Sequence, residues 1–160
     1  MLEGRDRYLA ANGFTVDGYT APTFELNFLG RKVAFKNPPA RQRAVPLHDL
    51  HHVVTGYGTD FTGEAEIGAW ELRAGCNTLF LYYINGMAAL VGLLIAPLRT
   101  LRAFRRARSQ RSLYVDDLTY ERALAMSVGE LRARLGIPEG GQADRPAGIH
   151  RDAPRPSMAS

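Results

Sequence analysis

The residues best suited to chemistry lie close together near the middle of the chain. Three of the four histidines fall within the five-residue segment His48-Asp49-Leu50-His51-His52. On a helix, His48 and His52 project from the same face, so both imidazoles can reach one metal ion. His51 lies about 100° away from His52 around the helix axis, at the edge of such a site or outside it. Asp49 is a candidate third ligand, or an acceptor that fixes the tautomer of an imidazole.

A carboxylate further along the chain makes a metal site the preferred interpretation. Two histidines alone more often lie on a solvated helix face or bond to a helix end. Here Glu64 follows the histidines, and Gly56, Gly58 and Gly63 interrupt the helical pattern between His52 and Glu64. A loop hinged on these glycines can fold the next helix back and bring Glu64 to the histidine face. Two neutral imidazoles and a carboxylate suit Zn²⁺ or another divalent transition metal and leave a coordination position for water or substrate.

The elements that must position these residues are mainly helices. Apolar spacing, capping residues and glycine or proline stops predict helices at residues 6–11, 47–55, 63–74, 77–97 and 98–107. Pro46 fits the first turn of the second of these helices. Asp116 or Asp117 is expected to cap a further helix. The capping box that starts at Ser127 predicts a last helix, which stops at Gly136.

One β-hairpin is predicted ahead of the histidines, over residues 23–36. Large apolar residues alternate with other side chains in two runs separated by a turn. These apolar positions are Phe24, Leu26 and Phe28, then Val33 and Phe35. Because proline cannot donate to a strand ladder, Asn37-Pro38-Pro39 is expected to end the hairpin in an extended segment.

Length and composition predict a single mainly α, compact domain. The chain has 160 residues, of which 46% are hydrophobic and 22% charged, so collagen-like, coiled-coil and wholly disordered chains are excluded. Its one cysteine, Cys76, excludes an internal disulfide and favours a reducing cytoplasm. We predict a metal-binding domain over residues 1–138. The proline- and glycine-rich segment 139–160 is predicted to be a disordered tail.

The net charge of +4 comes from one short stretch. Residues 99–111 contain six arginines and no acid, whereas residues 74–98 contain no charged side chain. A neutral apolar segment beside an arginine cluster indicates a membrane surface or lipid headgroups, and no nucleic-acid motif is present. The alternative is a solvated helix face. The candidate headgroup ligands are Arg99, Arg102, Arg105 and Arg106.

The apolar segment itself, residues 74–98, has three interpretations. It is long enough to span a bilayer, since a span needs about 20 residues, but polar residues and Pro97 dilute it. It can be a central helix buried in the core, or a helix that lines a groove for a polyprenyl tail. We expect a core helix with one face open to a lipid pocket or membrane surface. Its apolar positions at helical spacing are Leu79, Phe80, Tyr83, Met87, Leu90, Leu94 and Leu98.

The histidine motif resembles the signature of the ubiquinone (coenzyme Q) biosynthesis protein 4 family. His48-Asp49-x-x-His52, eleven further residues and then Glu64 agree with that signature in type and spacing. The resemblance covers roughly residues 45–138, and it includes the segments that begin at Gly63 and at Glu130. Members usually have more helix ahead of the motif, so this chain resembles a short, divergent bacterial-type member.

The resemblance implies a mainly helical protein whose metal ligands are His48, Asp49, His52 and Glu64, with zinc as the usual ion. It further implies a peripheral membrane association at the cytoplasmic face, a polyprenylated aromatic quinone precursor as substrate, and partners among quinone-biosynthesis proteins. Oxidative removal of the ring carboxylate at C1 would be the reaction. A non-catalytic lipid-binding or scaffold protein with a structural metal is the alternative, and a small metal-dependent hydrolase is a third. Whether the chain forms a homodimer is a question that the resemblance leaves open.

Overall fold

The computed structural model describes residues 1–28 and 31–144. Within them the chain is mainly helical, with seven α-helices, two short 3-10 helices and one two-stranded antiparallel sheet, as the sequence predicts. The α-helices are α1 (Leu2–Asn12), α2 (Pro39–Thr55), α3 (Phe61–Ala74), α4 (Leu79–Ile95), α5 (Pro97–Arg106), α6 (Tyr120–Ala125) and α7 (Val128–Leu135). The strands are β1 (Thr23–Phe28) and β2 (Arg31–Lys36), and the 3-10 helices are Val16–Tyr19 and Ala107–Ser109.

The hairpin forms where the alternating pattern places it. Its register pairs Phe24 with Phe35, and the two rings stack with their centroids 5.7 Å apart. The guanidinium of Arg41, in the first turn of α2, lies 3.7 Å above the centre of the Phe24 ring. The hairpin is therefore fixed to the start of the helix that carries the histidines.

Helix α2 begins earlier than predicted. Pro39 occupies its first turn, where a missing N–H is harmless, and Pro46 lies inside the helix rather than at its start. An internal proline removes one backbone bond, but the tertiary contacts of this helix outweigh that loss. The helix ends at Gly56, whose φ of 81° is the left-handed conformation that glycine adopts most easily.

The loop between α2 and α3 depends on close backbone approach. A Cβ atom on Gly63 would lie 2.1 Å from the carbonyl oxygen of Gly58, so only glycine fits there. The N-cap of α3 is Asp60, whose carboxylate accepts a hydrogen bond of 2.6 Å from the Gly63 N–H. This tight turn places Glu64 in the first turn of α3.

Small residues bring α4 and α5 close to α3. A Cβ atom on Gly68 would lie 2.8 Å from the Ala88 Cβ, and one on Gly92 would lie 2.5 Å from both the Ala65 Cβ and the Thr100 Oγ1. The main core lies on the other side of α3, where α2, α3 and α7 meet. Its fully buried members include Leu50, Val54, Ile67, Trp70, Leu131 and Leu135.

Residues 74–98 are expected to form a core helix with one open face, and α4 is buried along one narrow face only, so most of its apolar positions lie outside the core. Helix α4 buries Leu81, Asn85 and Gly92 but exposes its large apolar residues, Leu79 by 88% and Leu94 by 79%. The core is already filled by α2, α3 and α7, so α4 packs on α3 along one narrow face. Among the described residues, no helix is both long enough and apolar enough to cross a bilayer.

The chain stays in contact with the domain beyond residue 138. The backbone N–H groups of Gln142 and Ala143 both donate to the carbonyl of Thr55, and Gln142 is buried. Residues 139–144 are therefore part of the domain, which corrects the predicted boundary. The remainder of the predicted tail, 145–160, lies outside the described residues.

Three helix ends test the predicted caps. The capping box of Ser127 and Glu130 is formed, and α7 ends at Gly136 as predicted. Helix α6 is capped by Thr119 rather than by Asp116 or Asp117. Asp116 instead accepts the Leu118 N–H and pairs with Arg134 on α7.

Candidate functional site

Three predicted metal ligands converge between α2 and α3. The Nε2 atoms of His48 and His52 lie 3.1 Å apart. The two carboxylate oxygens of Glu64 lie 3.5 Å from the Nε2 of His48 and 3.4 Å from that of His52. All three ligand atoms thus lie within 4.8 Å of one another, and this group could hold a metal ion.

The two imidazoles are spaced as two ligands of one ion. Zn–N bonds of about 2.0–2.1 Å place neighbouring ligand atoms of a tetrahedron about 3.3 Å apart. The Nε2 atoms lie 3.1 Å apart, and each has a different oxygen of Glu64 beside it, Oε2 for His48 and Oε1 for His52. The side chain of Glu64 is 43% exposed, so the group is open to solvent on this side.

Hydrogen bonds to the far side of each ring fix the tautomer that a metal requires. The Nδ1 of His48 lies 2.8 Å from the Glu71 Oε1, and the Nδ1 of His52 lies 3.0 Å from the carbonyl oxygen of Tyr57. An ionised carboxylate and a carbonyl only accept hydrogen bonds, so each Nδ1 carries the proton. The two Nε2 atoms therefore face each other and share one cation, either the proton of a hydrogen bond between the rings or a metal ion that displaces it.

Glu71 organises this network, and the sequence analysis missed it. Its carboxylate is fully buried and its Oε1 accepts hydrogen bonds from the Nδ1 atoms of His48 and His51 and from the hydroxyl of Tyr114. A signal for it was available in the sequence. Glu71 follows Glu64 by seven residues, two turns of helix, so both carboxylates lie on one face of α3.

His51 is a structural residue rather than a ligand. It is fully buried, donates from Nδ1 to Glu71 over 2.7 Å and accepts the Leu113 N–H at Nε2 over 2.9 Å. Both ring nitrogens are thus satisfied by the protein. Burial lowers the pKa of His51 despite the Glu71 carboxylate, so the ring is neutral.

Asp49 is close to the site but lies outside the group of three. Its buried carboxylate accepts a 2.7 Å hydrogen bond from the Tyr19 hydroxyl. Burial raises the pKa of Asp49, and the bond from Tyr19 opposes that rise. The ring of Tyr8 stacks on His52 with the centroids 5.4 Å apart. Asp49 therefore ties the histidine helix to the segment of Tyr19, whereas Glu71 and the Tyr57 carbonyl are the acceptors that fix the imidazole tautomers.

The electrostatic potential of the site favours a cation. Burial by itself lowers the pKa of His48, but the Glu71 and Glu64 carboxylates outweigh it and raise this pKa well above its usual value. Burial likewise raises the pKa of Glu64, but hydrogen bonds from His48 and His52 lower it to about 2. The same negative potential that holds a proton between the rings attracts a divalent ion.

The four arginines predicted to bind headgroups are used mostly within the domain. Arg99 pairs with the buried Glu66 over 2.6 Å. Arg102 and Arg106 both pair with Asp144. Among the described residues, Arg105 is the member of this group without an ion pair.

Comparison of the chain with models of known protein families, with curated proteins and with solved structures finds no match.

Proposed function

We propose that this protein binds a divalent transition metal ion through His48, His52 and Glu64, and that the centre acts on the ring carboxylate of a polyprenylated aromatic quinone precursor. The observation that supports this proposal is the pair of Nε2 atoms that lie 3.1 Å apart beside the Glu64 carboxylate, each with its Nδ1 proton held by the protein. The substrate class rests on the resemblance of the motif to the ubiquinone biosynthesis protein 4 family.

The chain's own residues prepare the site before any ion binds. Glu71 and the Tyr57 carbonyl hold the two Nδ1 protons, so neither imidazole must rotate or change tautomer. Glu64 supplies a negative charge that is ionised at neutral pH, because its pKa is about 2. A divalent ion held here would act as a Lewis acid towards a ligand oxygen such as that of a carboxylate.

The reaction that we propose breaks the bond between the ring and its carboxylate. Carbon dioxide leaves, and a hydroxyl group whose oxygen comes from dioxygen takes its place on the ring. The second oxygen atom is reduced to water by an external two-electron donor. This balance requires both dioxygen and a reductant in the assay.

A scaffold protein with a structural metal is the second candidate. Structural zinc sites have four protein ligands and are closed to solvent. Among the described residues the cluster has three ligands, and Glu64 is 43% exposed. The open side of the cluster supports a reactive or ligand-binding centre over a structural one.

Metal content tests the site directly. Purified protein should contain about one divalent ion per chain by elemental analysis, and His52→Ala or Glu64→Gln should lower that content at least tenfold. Glu121→Gln, which changes an exposed glutamate on α6, is the matched control and should retain the ion. Retention of the ion by His52→Ala would contradict the proposed ligand set.

Chelation distinguishes the two candidate functions. An open centre on a preformed domain should lose its ion to a chelator and remain folded by circular dichroism. Loss of a structural ion to the chelator would instead unfold the domain. The wild-type and Glu64→Gln proteins are then incubated with a prenylated hydroxybenzoic acid, dioxygen and a reductant. Release of carbon dioxide by the wild-type protein alone would support the reaction, and equal release would contradict it.

A further inference from the structure

We propose that α4 is the interface through which this protein pairs with a second copy of itself. The surface concerned, the α4 outer face, consists of Tyr83, Met87, Leu90 and Leu94, with Leu79 at one end. All five side chains are exposed, and they lie on the side of the helix away from the buried residues Leu81, Asn85 and Gly92.

The exposed apolar surface of α4 as a whole, with the α4 outer face at its centre, is too large for an isolated chain. Ten large apolar side chains between Leu79 and Ile95 are exposed. At roughly 150–250 Å² for each large side chain, their exposed fractions amount to about 1,000 Å². The largest apolar patch on a typical monomer is about 300–600 Å². A stable dimer buries about 800 Å² on each partner, which this surface can supply.

The spacing of the α4 outer face is symmetric, which favours a copy of the same chain over an unrelated partner. Its members are separated by four, three and four residues, a pattern that reads the same in both directions. Two copies of α4 packed antiparallel about a twofold axis therefore set Met87 of one against Leu90 of the other, and Tyr83 against Leu94. Such self-complementarity is the requirement of a closed twofold dimer.

The charge distribution also favours a second copy. Residues 74–98 contain no charged side chain, so two copies meet without repulsion. In the antiparallel pair the arginines that follow α4 lie at opposite ends of a helix about 25 Å long. That separation exceeds the Debye length of about 8 Å at physiological salt, so they do not repel across the interface.

An anionic membrane is the other surface that an exposed apolar helix could meet. Binding to it would use unpaired arginines beside the apolar face. Arg99 is paired with Glu66, and Arg102 and Arg106 are paired with Asp144. The carboxylates of Glu66 and Asp144 thus neutralise half of the positive charge that these four arginines carry, which weakens the membrane alternative and favours the protein partner.

Sedimentation equilibrium of the full chain tests the proposal. The wild-type protein at micromolar concentration should have twice the chain mass of 17.7 kDa. Met87→Glu or Leu90→Lys should each raise the dissociation constant by about 100-fold, because each buries an unpaired charge. Both positions are half-exposed in the single chain, so both variants should fold, which circular dichroism checks. The matched control is Leu2→Glu on α1, at 51% exposure against 54% for Leu90, and it should remain dimeric.

A mixing experiment tests the register. In the antiparallel pair, the carboxylate introduced by Met87→Glu in one copy meets the ammonium group introduced by Leu90→Lys in the other. An equimolar mixture of the two variants should therefore dimerise at least tenfold more tightly than either variant alone. A wild-type monomer that floats with vesicles containing phosphatidylserine would overturn the proposal in favour of a membrane. A wild-type monomer that does not float would overturn it also, as would a dimer that both variants leave intact.

Discussion

The histidine cluster and the α4 outer face both consist of residues at helical spacing, yet they occupy opposite environments. The polar set on α2 and α3 faces inward, where His51, His52 and Glu71 are buried. The apolar set on α4 faces outward, where Leu79 and Leu94 are almost fully exposed. Both arrangements oppose the usual distribution of polar and apolar side chains. Buried polar groups and exposed apolar patches are the departures that indicate binding sites.

The two regions differ in what completes them. In the histidine cluster, the protein supplies a partner for each Nδ1 atom, and the Nε2 atoms of His48 and His52 face each other at a distance at which they can share one small cation. On α4 no described segment of the chain covers the exposed apolar residues, so what is missing is another surface. Buried polar residues therefore point to a ligand of atomic size, and exposed apolar residues to a macromolecular partner.

The largest change in the free energy of unfolding is expected for substitution of the buried residue Glu71. Glu71→Ala removes the acceptor shared by His48, His51 and Tyr114 and leaves a cavity among polar groups. The free energy of unfolding, measured by urea denaturation, should fall by about 3–5 kcal/mol. Glu121→Ala removes an exposed carboxylate and should change it by less than about 0.5 kcal/mol. Equal losses in the two variants would show that Glu71 is not the organising residue.

Substitutions at two glycines of α4 test which side of that helix packs against the domain. A Cβ atom at Gly92 would approach Ala65 and Thr100 to 2.5 Å, so Gly92→Ala should destabilise the protein by about 1–3 kcal/mol. A Cβ atom at Gly86 would meet nothing within 4 Å, so Gly86→Ala should stabilise it by about 0.5–1 kcal/mol. The same urea titration measures both. A similar effect of the two substitutions would contradict the orientation of α4.

A substitution at Tyr19 tests whether Asp49 anchors the histidine helix or binds the metal ion. Tyr19→Phe removes the hydroxyl that donates to Asp49 and leaves a buried carboxylate without that partner. We expect a loss of about 1–2 kcal/mol in unfolding free energy. Metal affinity, measured by competition with a chelator, should change by no more than a few-fold if Asp49 is an anchor. A large gain or loss of affinity would instead favour Asp49 as a ligand.

The smallest effect is expected at the surface pair of Asp116 and Arg134. Burial raises the pKa of Asp116, but the guanidinium of Arg134 and the Leu118 N–H outweigh it and lower this pKa below its usual value. A lowered folded-state pKa means stability that is present above the unfolded pKa, about 3.9, and is lost as the pH falls through the lower folded value. Stability curves between pH 7 and pH 2 should therefore differ between wild type and Asp116→Asn by about 0.5–1 kcal/mol, above pH 4 only. Parallel curves would exclude this contribution.

Local signals in the sequence predicted the parts of the fold that depend on neighbours along the chain. The capping box at Ser127, the stop at Gly136 and the hairpin that pairs Phe24 with Phe35 are all formed. The convergence of His48, His52 and Glu64 also followed from spacing and a glycine-rich loop. These features need contacts only within a turn, a hairpin or one short connection.

Other features depended on partners far along the chain and could not be read from spacing. Pro46 lies inside α2 because the tertiary contacts of that helix outweigh one lost backbone bond. Arg102 and Arg106 pair with Asp144, which lies about forty residues further along the chain, so the charge pattern around the arginines did not predict this contact. The role of Glu71 required α3 to lie against both His48 and the segment of Tyr114.

The amino-acid sequence by itself determined which sets of residues exist: two imidazoles and a carboxylate that could hold a metal ion, and an apolar stripe with a spacing of four, three and four residues. Periodicity specifies that such residues share one side of a helix, because rotation about the helix axis is fixed by the backbone. The tertiary structure alone decided which way each face points. Small residues on α3 and α4 admit only one close packing face, and a core already filled by α2, α3 and α7 leaves the apolar stripe outside.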